Sequence, residues 1–201
     1  MLHIQKSKHF PVKGFVFTVI ALLLIFVGGY ILLLVLTPNL PFISSYQPLE
    51  VKAIPKPSVS ENRIIIPQIG VNIPYGTNGK VSLDSGAWWR YPERGDPVKG
   101  GNFIIAAHRF SIQLTPHETA VKSPFYHLDK LKIGDPIIID FEGKRYGYKI
   151  SKTYTVKPNQ IEIEAPSDKP KMTLYSCELG GSEAGRTVFN AEPMGEITVQ
   201  G

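Results

Sequence analysis

Cys177 is the one thiol in a chain of 201 residues. It closes the strand-like stretch Met172-Thr173-Leu174-Tyr175-Ser176, and Gly180, Gly181 and Gly185 follow it. A thiol at a strand end beside a loop is accessible, whereas a structural cysteine usually lies inside a strand. To act as a nucleophile it needs a neighbouring base or cation that supplies or stabilises the thiolate. His108, His117 and His127 are the candidate bases. His108 directly follows the apolar run Phe103-Ile104-Ile105-Ala106-Ala107, so a core strand holds its backbone in the rigid placement a base requires. His117 falls in the polar stretch 113–119 and reads as a surface-loop residue. His127, between Tyr126 and Leu128, reads as a packing or surface histidine. Arg186 opens the strand after the glycine-rich stretch. If that strand pairs antiparallel with the one ending in Cys177, its guanidinium can donate to an oxyanion or a substrate carbonyl. On composition alone, an isolated arginine at a strand start is more often simply solvated.

These groups are positioned by elements that read mostly as short strands. Ile64-Ile65-Ile66, ended by Pro67, is a β-branched run, and Val71-Asn72-Ile73 is a short alternating piece. Asn102 to Ala107 is a buried strand. Asp135 to Phe141 and Arg145 to Val156 form a hairpin pair joined at Glu142-Gly143-Lys144. Lys171 to Ser176 and Arg186 to Ala191 are two further strands, with Glu196 to Val199 extending the last. The spacing predicts a helical turn only over Ser123 to Leu131. With 17 prolines and 18 glycines marking turns, the pattern is mainly β and points to a closed or nearly closed β-barrel. Trp88-Trp89 read as aromatics that cap the barrel.

Ahead of these strands, Phe15 to Leu36 is uncharged and roughly 20 residues long, enough to cross a bilayer as a helix. It exceeds the usual apolar core of a signal peptide and no A-x-A-like site follows, so it reads as an uncleaved signal anchor. Lys6, Lys8 and Lys13 precede it, which places the N-terminus in the cytoplasm with His3 and His9. The domain reading is therefore a tail over 1–14, a transmembrane anchor over 15–36, a proline-rich tether over 37–62 and a β-barrel domain over 63–201, outside a single-pass membrane span. Three of the 22 basic residues lie in that tail and anchor, leaving the remainder close to charge balance. No basic cluster with interleaved aromatics stands out, so a nucleic-acid partner is excluded. One cysteine also excludes a disulfide framework within the chain. Glu93, Asp96, Glu118, Glu162 and Glu164 lack the dense Asp/Asn spacing of a calcium loop, and neither metal nor cofactor is expected.

Several segments together resemble the sortase family of cysteine transpeptidases. Thr173-Leu174-Tyr175-Ser176-Cys177 is similar to its Thr-Leu-x-Thr-Cys signature. Ile105-Ala106-Ala107-His108-Arg109 is similar to its apolar strand ending in Gly-His-Arg. Arg186-Thr187-Val188-Phe189-Asn190-Ala191 resembles its final strand, Ile64-Ile65-Ile66-Pro67-Gln68-Ile69 its opening strand, and Leu131-Lys132-Ile133-Gly134-Asp135 its Leu-x-x-Gly-Asp. The matches keep the family's order over roughly residues 63–199. Two departures are small: Ala107 replaces the usual glycine and Ser176 the usual threonine.

The resemblance implies a sortase-type closed β-barrel with one or two short helices. Cys177 would be the nucleophile, His108 the general acid/base and Arg186 the oxyanion donor. Thr173, Leu174, Ser176 and Ala107 would contact substrate. The substrates would be surface proteins with a C-terminal Leu-Pro-x-Thr-Gly-like sorting signal, and the acceptor an amine of the cell wall or of another protein. The short connection from Cys177 to Arg186 fits a compact housekeeping-like or class D/E-like member. Glu178 places a negative charge beside the thiol, which opposes the thiolate unless it points away or pairs with Arg109 or Arg186. An L,D-transpeptidase and a papain-like hydrolase fail on the residues around the cysteine and on chain order. A mainly hydrolytic sortase and an inactive tethered barrel are the alternatives.

Overall fold

The computed structural model describes residues 12–40 and 48–198. Helix α1 (Val12–Leu36) carries no separate polar face. Within Lys13–Asn39 an 18-residue stretch reaches a mean hydropathy of 3.1, and the helix is long and apolar enough to cross a membrane. Thr37-Pro38-Asn39 tighten into a 3-10 turn, since proline ends the α-helical ladder.

Nine strands follow: β1 (Arg63–Ile66), β2 (Val71–Gly76), β3 (Ala87–Arg90), β4 (Gly95–Asp96), β5 (Gly100–Ala107), β6 (Pro136–Phe141), β7 (Lys144–Val156), β8 (Lys171–Glu178) and β9 (Gly181–Glu196). They hydrogen-bond in the order β3-β2-β1-β6-β7-β9-β8-β5, and β5 pairs back with β3 to close a ring of eight. The two-residue β4 pairs with β5 outside the ring. Closure removes the exposed edges an open sheet would carry. The pairs are antiparallel except β2 with β3 and β5 with β8.

The isoleucine runs follow from burial on both faces. Ile64, Ile66, Phe103, Ile105, Ile137, Ile139, Leu174 and Phe189 fill the interior. The alternate residues Ile65 and Ile138 are covered from outside by Ile54, with Leu49 packed against them. Ile104, Ala106, Tyr175 and Val188 form another outer patch, covered by Ile163 of the β7–β8 connection. The segment ahead of the barrel is thus partly packed on it.

Arg145 reinforces that seam. It donates from Nε and Nη2 to the two oxygens of Asp140, at 2.6 and 2.7 Å, and from Nη2 to the Pro55 carbonyl at 2.6 Å. Both charged side chains are almost fully enclosed. Asp140→Ala leaves that cation buried and unpaired, so unfolding free energy falls by about 3–5 kcal/mol. Denaturant titration of the variant measures the loss.

The helical turn expected within Ser123 to Leu131 is present as the 3-10 turn Leu128–Lys130, but it is not alone. The helices are α2 (Gly79–Ser85) and α3 (Pro116–Val121). His117 therefore sits in a helix, not a surface loop. The signal was in the sequence: Thr115 accepts from the Glu118 amide, Glu118 reaches back to Thr115, and Pro116 occupies the first turn. The strand through Arg186 runs on as β9 to Glu196, because bulges let it bend without breaking; Ile197 and Thr198 lie beyond its end, and Val199 lies outside the described residues.

The top of α1 docks on the β5–β6 connection. Leu34, Thr37 and Pro38 are buried, Asn39 Nδ2 donates to the Tyr126 hydroxyl at 3.0 Å, and the His127 ring nitrogen lies 3.0 Å from the Pro38 carbonyl. Burial, only partly opposed by that carbonyl, pushes the His127 pKa below the ordinary histidine value. Charging His127 is therefore costlier folded than unfolded. The contact is fully stable above about pH 6.5 and weakens as pH falls below it. Melting temperature should drop between pH 7.5 and pH 5, and by less in His127→Gln, which keeps a neutral donor.

Candidate active site

The closed ring brings three distant segments onto adjacent strands. In β8 and β9, Cys177 stands directly opposite Arg186. On the other side of β8, the parallel register runs to Ala106 opposite Tyr175, and His108 directly follows Ala107, the last residue of β5. Tyr175, two residues before Cys177, and Val188, two residues after Arg186, belong to the outer patch, so alternation sends Cys177 and Arg186 to the outer face. The two form a row across β8 and β9, and His108 follows Ile104 and Ala106 of the same patch just beyond the end of β5. The candidate site is a shallow outer groove roofed by the β7–β8 connection.

Cys177 is a free, partly exposed thiol. The glycine-rich stretch beyond it is a tight hairpin, with Glu178 paired to Gly181, rather than a long loop. Glu178 turns toward the opposite face. Its carboxylate accepts from Thr187 Oγ1 at 2.5 Å and Thr155 Oγ1 at 3.4 Å. Arg109 Nη1 donates to the same Thr187 hydroxyl at 3.1 Å, which links the acid to a buried cation without a direct pair. That geometry removes the conflict between Glu178 and a thiolate.

His108 has a partner that sequence reasoning missed. Its Nε2 lies 3.5 Å from Asp84 Oδ1 on α2. Asp84 also pairs with Lys80. Lys80, against a smaller desolvation cost and with His108 adding, holds the Asp84 carboxyl below its ordinary pKa. The carboxylate is thus available to orient the imidazole at neutral pH. No linear signal marks Asp84, because the pairing exists only once α2 folds over the end of β5. His117 and His127 lie on the α3 side of the same connection and have no place in the row.

Arg186 points under the roof, where Nη1 donates to the Pro158 carbonyl at 2.7 Å. A small cleft of about 70 Å³ opens beside it, lined by Arg90, Ile161, Ile163, Glu164 and Tyr175. The roof is pinned at several points. Glu164 accepts from the Tyr175 hydroxyl and from Arg90 Nη2 at 3.2 Å, and its carboxylate also lies 2.6 Å from Arg90 Nε. Arg94 Nη1 donates to the Glu164 carbonyl at 2.6 Å, and Asn102 Nδ2 to the Ala165 carbonyl at 2.8 Å. Burial first, then the bond to Glu164, push the Tyr175 pKa far above the ordinary phenol value, so it remains a neutral donor.

The residues expected to touch substrate are enclosed. Leu174 and Ala107 belong to the interior core. Thr173 is fully buried and bonds Asn102 Oδ1 at 2.7 Å, which helps hold the roof. Ser176 is buried and donates to the Ala107 carbonyl at 2.7 Å, locking β8 to the end of β5. Ser176 thereby ties the residue before Cys177 to the residue before His108. Trp89 packs edge-on against Tyr75, Phe103 and Phe141, as a barrel cap should, while Trp88 lies under the Arg90 guanidinium. Among the described residues, no three His, Cys, Asp or Glu side chains converge as a metal's ligands would.

Comparison with known proteins places this arrangement. The sequence of residues 64–194 matches the model of the sortase domain. Sortase SrtE1 of Streptomyces coelicolor is 30% identical over 128 residues, covering 56% of this chain and 34% of its own length. Sortase SrtE2 of the same organism is 30% identical over 142 residues, covering 66% of this chain and 45% of its own. The chain thus spans less than half the length of these curated relatives. A Clostridium perfringens sortase D5 transpeptidase superposes with a TM-score of 0.54 at 26% identity, covering 67% of this chain and 79% of that one. The family match runs from β1 into β9 and so encloses His108, Cys177 and Arg186: the chain belongs to the sortase family.

Proposed function

We propose that this chain is a membrane-anchored cysteine transpeptidase that cleaves a Leu-Pro-x-Thr-Gly-like sorting signal and joins the released protein to an amine. The observation that carries this reading is Cys177 directly opposite Arg186 on β8 and β9, with His108 just beyond the end of β5, the strand on the other side of β8. In this mechanism the Cys177 thiolate attacks the threonine carbonyl carbon and forms a C–S bond. Arg186 donates to the oxygen that gains negative charge, where a fixed cationic donor is most effective. As the intermediate collapses, the C–N bond breaks, and His108 gives its proton to the departing amine. An acceptor amine then attacks the thioester, His108 takes its proton, and the thiol leaves. Arg186 has five N–H donors, so the bond to Pro158 still leaves several for substrate.

The same reading assigns α1 as the anchor, with the tail ahead of it in the cytoplasm and the barrel outside. The partners are surface proteins bearing a sorting signal and an amine of the cell wall or of another protein. Both Streptomyces relatives are named as sortases and the Clostridium neighbour as a transpeptidase, which supports acyl transfer over a non-catalytic barrel.

The test uses the full chain in vesicles with a library of Leu-Pro-x-Thr-Gly-like peptides, with and without hydroxylamine or a glycine amine. Mass spectrometry should find cleavage after threonine and transfer to the added amine. Cleavage with water alone as acceptor would favour a hydrolase. No product, with Cys177 slow toward thiol probes, would favour an inactive module.

A further inference from the structure

We propose that the first part of the β5–β6 connection, with Leu114 at its tip, is a second membrane contact that inserts into the outer leaflet beside α1. The proposal rests on the reading of α1 as a membrane span. Leu114 is the most exposed large apolar residue among those described, at 86% exposure, and Ile112 and Val121 beside it are also open. Such a cluster is costly facing water and favourable in lipid.

Its height relative to the bilayer is given by the chain itself. The Tyr30 hydroxyl on α1 donates to the Leu114 carbonyl at 2.6 Å. Tyr30 lies six residues before the end of α1, about 9 Å down the helix axis at 1.5 Å per residue. If α1 crosses the bilayer to Leu36, the tip of this connection sits below the outer boundary of the span. Only lipid can occupy the space around it at that depth.

The backbone of the segment is prepared for such a place. A polar group in lipid must find its partner inside the protein. The Leu114 carbonyl is met by Tyr30. The Ser111 amide donates to Ser123 Oγ at 3.0 Å, the Gln113 amide to Thr119 Oγ1 at 3.0 Å, and the Thr115 amide to the Glu118 carboxylate at 3.2 Å. The exposed carboxylate of Glu118 belongs among the headgroups, so the segment lies at the boundary of headgroup and acyl chains rather than deeper.

The contact bears on the site because the connection starts at His108. Lys122, at the end of α3, donates to the backbone carbonyl of Asp84, and the Asp84 carboxylate lies beside His108. Seating the tip in lipid holds the candidate base and its groove at a set height above the bilayer.

The experiment places one nitroxide-labelled cysteine at a time in the full-length Cys177→Ala chain, reconstituted in vesicles of phosphatidylglycerol and phosphatidylethanolamine. The positions are L114C, I112C, F26C in mid-helix and V59C on the exposed segment ahead of the barrel. Accessibility to oxygen and to an aqueous nickel chelate is read at each. The expected result is that 114 and 112 favour oxygen as 26 does, while 59 favours nickel. If 26 favours oxygen but 114 and 112 match 59, the insertion is overturned and the anchor stands. If 26 also favours nickel, the anchor falls and the insertion with it. Matching near-UV circular dichroism across the set confirms that the labels leave the fold intact.

Discussion

Cys177→Ala should abolish acyl transfer while leaving the barrel folded. With the thiol gone, no thioester can form, and whatever activity remains comes from a bound peptide exposed to water. Loss of a covalent nucleophile costs about 10³-fold or more in turnover. The methyl side chain fits at the site, because Cys177 is partly exposed and its register with Arg186 is made by backbone bonds. Circular dichroism and melting temperature should therefore match the parent. Full activity in the variant would remove Cys177 from the mechanism. A collapsed fold would instead mean that the thiol packs structurally, against its exposed place at the strand end.

Arg186→Lys should lower turnover by about 10²–10³-fold, the usual cost of removing one oxyanion donor. Charge is conserved, so a long-range electrostatic role would survive the change. What disappears is the planar fork, which can donate to the Pro158 carbonyl from Nη1 and still present other N–H groups to a substrate. An ammonium engaged with that carbonyl has less reach and no fixed geometry. The loss should fall mainly in kcat, since the charge on the carbonyl oxygen develops in the transition state. A change confined to KM would assign Arg186 to peptide binding. A parental rate would leave it as a strut between β9 and the roof.

Much of the barrel was legible because period-two burial writes itself into a sequence. The runs at Ile64-Ile65-Ile66 and Phe103-Ile104-Ile105 marked strands that are buried on both faces. The turn at Glu142-Gly143 followed from a hairpin requiring positive φ at both positions, as observed at 50° and 79°. The short helices were less legible. Six or seven residues carry too few turns for a 3.6-residue period to stand out, and only the Thr115–Glu118 capping box betrayed α3. The burial of the groups expected to contact substrate was not legible for a related reason. A motif names neighbours along the strand, but alternation sends Leu174 inward and Cys177 outward.

Sequence by itself determined the elements and the inventory: an apolar span, a set of short strands, and a lone thiol with a histidine and an arginine on separate segments. These follow from local side-chain pattern and chain order, which require no long-range contact. Tertiary structure decided what those groups meet. Asp84 beside His108, Pro158 over Arg186, and Tyr30 on the Leu114 carbonyl all join residues far apart in the chain, and Thr187 meets Glu178 across the β8–β9 pairing. Such pairings depend on strand register and barrel closure. A shift of one residue would turn every side chain of a strand to the opposite face, so they are set only when the whole ring has formed.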